Sequence, residues 1–158
     1  MKNFFISLIL ALIIVTNALC CFGPELVIGY EQNKSVYYTS AVLLQVYLKE
    51  KTGIDVKIIP LSETLEEMVN KEQVDLFLSD NVKLSEKINT KSLTIDNKFK
   101  IYYRTKIKED LRFTTILDSL DKLSKHITDK DISNLVKQIK EGKEKRTIKE
   151  FLLQRGLW

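Results

Sequence analysis

Residues 26–59 read LVIGYEQNKSVYYTSAVLLQVYLKEKTGIDVKII, and the reading of this stretch decides the fold. Leu26 to Tyr30 is a short β-rich run that ends at Gly29-Tyr30. From Ser35 or its neighbours to about Lys51, Val42, Leu43, Val46 and Tyr47 recur on one face of a helix. Thr52-Gly53 stops that helix, because glycine easily takes the left-handed conformation in which helices end. Asp55 to Ile59 is the next β-rich run, closed by Pro60, which cannot continue a central ladder. Strand, helix and strand in this order form the repeating unit of a parallel sheet covered by helices.

The same alternation continues outward. Ser62 to Lys71 reads as a second helix, with Thr64 and Glu67 at capping-box spacing and Leu65, Met68 and Val69 facing inward. Val74 to Leu78 (VDLFL) is the third strand. Residues 79–97 are polar, lack a long apolar pattern and read as a linker. Phe99 to Thr105 (FKIYYRT) is again β-rich. Three helical stretches follow, Leu111 to Lys125, Thr128 to Glu141 and Thr147 to Arg155, with Thr128 as a start signal and Gly156 as a stop. The expected fold is therefore α/β.

Composition removes several kinds of chemistry. His126 is the single histidine, and Cys20 and Cys21 are the two cysteines, so a multi-ligand His/Cys zinc site and a disulfide framework are excluded. A Ser-His or Cys-His pair would have to use His126, which between two helices reads as a surface or capping residue. The formal charge of +4 falls to +3 once Met1 to Cys20, with Lys2 and no acid, is set aside. Acids alternate with bases through the remainder, which argues against nucleic acid as a partner. Gly142-Lys143 lacks the glycine spacing of a phosphate loop, and no cofactor is implied.

Met1 to Cys20 reads as a signal peptide: Lys2, an apolar run from Phe4 to Val15, then Thr16, Asn17 and Ala18. The apolar run is shorter than the roughly 20 residues that a spanning helix needs. Export to the cell envelope is expected. Cys21 is the expected lipid-attachment residue, with Cys20 and Ala18 in the flanking positions; ordinary cleavage after Ala18 or Cys20, leaving a soluble protein, is the alternative.

Two segments carry a resemblance. LVIGY, then YLKEKTGIDVKIIP, then NKEQVDLFLSD is similar to the opening of the substrate-binding proteins for glycine betaine, choline and related osmoprotectants in ABC importers. The ending LDSLDKLSKHITDKDISNLVKQIKEGKEKRTIKEFLLQRGLW resembles the close of the same family. Such proteins have two lobes, the first built from both ends of the chain and the second inserted between. The resemblance thus implies one three-layer lobe of the type II periplasmic binding fold over residues 21–158, with the linker at 79–97 standing where the second lobe would be. It implies parallel strands ordered 2-1-3 and an antiparallel return strand, Phe99 to Thr105, beside the third.

In open α/β sheets ligands sit at the carboxyl ends of the strands, where the strand order reverses. The loops there are Tyr30 to Tyr38, Pro60 to Thr64 and Ser79 to Asp80. Candidate ligand-binding residues are Tyr30, Glu31, Ser35, Tyr37, Tyr38, Ser62, Asp80 and Tyr102. Aromatic faces attract quaternary ammonium groups, and Glu31 and Asp80 would add charge. Ser35, a hydroxyl at a helix start, fits an anion together with the free amides there; Ser62 and Thr64 fit one at the second helix, but capping is their first reading. Tyr102 and Tyr103 point to opposite sides of one strand, so at most one reaches the edge. The family's usual Gly-Ser-Lys opening is replaced by Gly29-Tyr30-Glu31, so betaine specificity does not carry over. The expected activity is binding and not catalysis. The partner is a small osmolyte or a protein such as a transporter subunit or a second copy; an interaction module that has lost small-molecule binding is the alternative. Without the second lobe, Tyr30, Tyr37 and Tyr38 are expected to face water.

Overall fold

The computed structural model describes residues 25–32, 34–62, 64–79, 88–95, 99–139 and 142–158, with the side chains of 89–95, 99 and 112 excepted. The signal segment, Cys21 and Asp80 lie outside the described residues. Five strands form one mixed sheet: β1 (Glu25–Tyr30), β2 (Asp55–Pro60), β3 (Leu76–Ser79), β4 (Ile88–Ile95) and β5 (Phe99–Arg104), in the order β2-β1-β3-β5-β4. β1 pairs in parallel with β2 and β3, and β5 runs antiparallel to β3, with Phe77 opposite Tyr102. The expected 2-1-3 order and antiparallel return strand are therefore present.

The stretch read as a linker is corrected in part, because Ile88–Ile95 within it is a strand paired antiparallel with β5. Ile88 and Ile95 bracket an otherwise mainly polar run, which gives little of the alternation by which strands are recognised. A neighbouring strand supplies the backbone partners that an isolated polar run would lack.

Helix α1 (Ser35–Thr52) is the long element, and it is buried on more than the one side that its spacing suggests. Thr39 through Leu44 are all buried, as are Tyr37, Tyr47 and Leu48. The cause is its position: the sheet lies beneath it, while α4 (Thr114–Ser124), α5 (Asp129–Gln138) and α6 (Glu144–Gln154) pack around the rest. Leu26 and Ile28 of β1, Leu76 and Leu78 of β3, and Ile101 and Tyr103 of β5 meet these helices in one core. The opposite face is thin. There the short α2 (Leu65–Asn70) supplies Met68 and Val69, which pack with Val74, Phe77, Ile88 and Tyr102. Alternation along each strand, the period-two rule of the pleated sheet, sorts the side chains between the two cores.

Two short elements precede α4, the turn α3 (Lys106–Glu109) and a 3-10 turn at Leu111–Phe113, so the helix expected from Leu111 begins at Thr114. Thr128 caps α5 as expected: its hydroxyl accepts from the amide of Asp131, and the Asp131 carboxylate accepts from the Thr128 amide at 2.9 Å. Asp131 also pairs with Arg155 at the end of α6, tying the last two helices together. Gly29 sits where Leu61 crosses β1; a Cβ there would lie 2.7 Å from a Leu61 methyl and 3.0 Å from Val74. Close approach, not a turn, favours glycine there, since both side chains would have to shift to admit a Cβ.

Asp75 is the junction of the sheet. Its amide donates to the Val27 carbonyl at 2.8 Å, and its carboxylate accepts from the Val27 amide at 2.9 Å. The Arg104 amide donates to the Asp75 carbonyl at 3.1 Å, and the Arg104 guanidinium pairs with the same carboxylate. One residue, 7% exposed, thus links β1, β3 and β5. Just before β3 begins at Leu76, Asp75 thus pairs through its backbone with both neighbouring strands and adds a side-chain bond to each.

Just upstream, α2 ends in a left-handed turn. The Glu72 amide donates to the Val69 carbonyl and the Gln73 amide to the Met68 carbonyl, a closing pair in which the left-handed position usually holds glycine. Here Glu72 occupies it, at φ 56°. Its carboxylate pairs with Lys106 and lies 3.6 Å from Arg104. A hydrogen bond from Lys106, then the charges of Lys106 and Arg104, hold the Glu72 carboxyl below its usual value.

Replacing Asp75 with Ala is expected to destabilise the domain by about 3 kcal/mol or more, because it strands the Arg104 guanidinium and the Val27 amide. Asp75→Asn, which retains an acceptor for Val27, is expected to lose less; chemical denaturation of the two variants compares them. For Glu72 the depressed folded pKa means that its stabilisation is present above the unfolded value and disappears as pH falls through the folded one. Glu72→Gly is expected to change stability little at pH 7, since relief of the left-handed turn offsets the lost pairs. It should also flatten the decline below about pH 4.3, the ordinary glutamate value. Thermal melts from pH 7 to pH 3 measure both effects.

Candidate functional site

The strand order reverses between β1 and β3. From β1 the chain passes through α1 to β2 on one face, then crosses back through α2 to β3 on the other. Above the carboxyl ends of β1 and β3 these connections diverge, which is the place where open α/β sheets take a ligand. Glu31 follows β1 and Ser79 ends β3. The Ser79 hydroxyl donates to Glu31 Oε1 at 2.5 Å, closing the base of the crevice with a partly buried contact.

On the α1 side of this edge, the rings of Tyr30 and Tyr38 meet at 5.5 Å between centroids with their planes at 59°. Both rings are half-buried, packed against the main core with an outer portion remaining accessible. Tilted contact of this kind sets the edge of one ring against the face of the other and fixes both. Lys34 precedes the helix in extended conformation and its side chain makes no cap; instead its ammonium lies 5.2 Å from the Tyr37 ring centroid. Ser35, the first residue of α1, is exposed.

The expected residues therefore divide. Tyr30 and Tyr38 are brought together, Glu31 follows Tyr30 but turns to the other side of the sheet to meet Ser79, and Ser35 is exposed at the neighbouring helix start. Ser62 is exposed at the same end, two residues before the cap of α2, in a turn anchored by the Leu61 amide donating to the Tyr30 carbonyl at 2.9 Å. The cap itself is Thr64, whose box with Glu67 is complete, so Ser62 carries no capping role.

Two tyrosines are not where the edge needs them. Tyr37 is 2% exposed, a core residue, and the expectation that it faces water is corrected. Helical spacing places it on the same side as the buried Ala41, Leu44 and Leu48. Tyr102 is 4% exposed and stacks on Phe77 at 5.1 Å with the planes 4° apart. The register sets it against Phe77, in the middle of the thin-face core and two residues short of Ser79. Asp80 follows Ser79 but lies outside the described residues.

Ser79 and Lys34 were not singled out by the sequence. A signal for Ser79 was present, since a small polar residue ending the otherwise apolar run LFLS is unusual inside a buried strand. Chemically, the edge offers a fixed aromatic corner, one carboxylate and hydroxyls, a set suited to holding a cationic or polar head. Among the described residues no group of three His, Cys, Asp or Glu is placed to hold a metal ion. His126 is exposed, with Nδ1 2.8 Å from the Lys122 carbonyl at the end of α4, the surface role expected for it.

Set against protein-family models, curated proteins and solved structures, the chain matches none of them.

Proposed function

We propose that the chain is an exported, one-lobe relative of the osmoprotectant-binding proteins, a reduced type II periplasmic binding fold that acts as a binding or docking module and not as an enzyme. The observation that carries this reading is the aromatic corner of Tyr30 and Tyr38 beside Glu31 and Ser79, at the end of the sheet where the strand order reverses. Strand order 2-1-3 with an antiparallel return strand supports the same reading.

The ligand it fits is a small osmolyte with a quaternary ammonium head. Such a head is attracted to ring faces by about 0.5–2 kcal/mol per well-placed ring, more as water is excluded. Two rings and one carboxylate fall short of a closed cage. A single lobe covers half of a small ligand, so binding is weak until a second surface closes over it. That surface is a transporter subunit or a second copy. The alternative role, docking a protein through the same edge, is favoured by the partial exposure of both rings on an otherwise charged surface.

Export and membrane attachment belong to the proposal. Lipid on Cys21 would hold the lobe at the membrane surface, where a transporter subunit is available at high effective concentration. Cys21→Ser is expected to release the protein from the membrane fraction and abolish lipid labelling; unchanged fractionation and labelling would reject the anchor.

Calorimetry with glycine betaine and with choline, on the detergent-extracted full-length protein, tests the ligand. Sedimentation and pull-down with the transporter subunit test the partner. Tyr38→Ala is expected to weaken whichever interaction is found by at least about tenfold while the fold persists. If neither osmolyte binds, no complex forms, and Tyr38→Ala behaves as the parent, the edge has no role and the proposal fails.

A further inference from the structure

At the opposite pole of the lobe, where α1 ends and β2 begins, a cavity of about 380 Å³ opens between α1, the edge strand β2, α6 and Trp158. Its walls are the Trp158 ring, Val46, Val56 and the aliphatic stems of Lys49, Lys145 and Lys149. Gln45 closes one side by donating to the Val56 carbonyl at 2.7 Å, which satisfies that one edge group.

The charges at the rim are uneven. Lys49 is matched by Asp55 at 2.5 Å and also donates to the Gly53 carbonyl. Lys145 and Lys149 stand one turn apart on α6, both exposed, and neither has a carboxylate partner among the described residues. The ammonium of Lys149 lies 4.4 Å from the Trp158 ring centroid, which holds the ring and the charge against each other. Glu50 is the one acid of the rim without a partner among the described residues. Two cations without a carboxylate partner among the described residues, one of them over the Trp158 ring, thus outweigh a single carboxylate.

We infer that this groove binds an organic anion with a flat apolar body, its ring against Trp158 and Val46 and its anionic group between Lys145 and Lys149. Residues one helical turn apart present their side chains on the same face about 6 Å from each other, a separation that one sulfonate or carboxylate spans. The volume lies in the range of small-molecule sites. The inference is independent of the edge at Tyr30 and Tyr38, which lies at the other end of α1.

Trp158 is the single tryptophan of the chain and reports directly on the groove. Anilinonaphthalene sulfonate, titrated into the full-length protein, is expected to quench Trp158 emission by energy transfer with a saturable isotherm that weakens as salt is added. Phenylnaphthylamine, the same skeleton without the sulfonate, should bind more weakly. The double substitution Lys145→Gln and Lys149→Gln is expected to weaken the sulfonate by about tenfold and leave the neutral analogue unchanged. Because both lysines are exposed, the variant keeps its fold, which circular dichroism verifies. Equal binding of the two probes, indifference to the double substitution, or quenching that does not saturate would each overturn the inference.

Discussion

The Asp75 carboxylate, held among three strands, is the constraint on which the sheet depends. A buried carboxylate costs several kcal/mol of lost hydration unless its oxygens are satisfied. Here one oxygen takes the Val27 amide and the other the Arg104 guanidinium. The consequence is a fixed register: β1, β3 and β5 cannot slide relative to each other without breaking a bond to one side chain. Since a slip by one residue would exchange the two faces, this pairing also decides which residues reach the helical core and which reach the thin one. Arg104 Nε is buried without a partner among the described residues, so the arrangement is satisfied incompletely, and the junction is a source of specificity more than of surplus stability.

The register thus fixed determines the shape of the edge. With Leu78 toward the helices, Ser79 must face the other way, as must Glu31 after Tyr30, and the two meet across the end of the sheet. Tyr30, alternating with them, turns toward α1 and finds Tyr38. The aromatic corner and the carboxylate therefore lie on opposite sides of the sheet plane, joined at its rim. A ligand touching both would straddle the ends of β1 and β3, which is where the divergence of the connections leaves room.

Much of this was legible in the sequence. LVIGY, DVKII and the helix between them form the expected elements, because strand and helix periodicities there are strong and Gly53 ends the helix cleanly in the left-handed conformation. Thr64 and Thr128 cap as their spacing with Glu67 and Asp131 requires. What escaped was set by distant partners. The strand at Ile88–Ile95 exists because β5 offers it a ladder, and its own polar composition hides it. Tyr37 and Tyr102 look alike to any reading by residue type, yet α1 is enclosed on several sides and Phe77 stands opposite Tyr102, so both are core residues. The groove beside Trp158 needs α1, β2 and α6 together, residues about 100 apart in the chain, and no local pattern announces it.

Helix α1 separates the two poles and makes them independent. Tyr38 is in its first turn and Lys49 in its last; eleven residues at 1.5 Å each set them about 16 Å apart along a rigid axis. At that distance, with no shared side-chain partners, substitutions at the two ends are expected to act additively. Coupling would need α1 to move as a body, and the core resists that: Leu43, Leu44, Tyr47 and Leu48 are buried beneath three helices and against the sheet. The Tyr47 hydroxyl has no hydrogen-bond partner among the described residues, and burial raises its pKa, so the phenol stays neutral and its ring serves as packing. A ligand at one pole therefore meets a helix that transmits little to the other. The domain is thus a rigid frame that carries two separate surfaces, one at each end of α1.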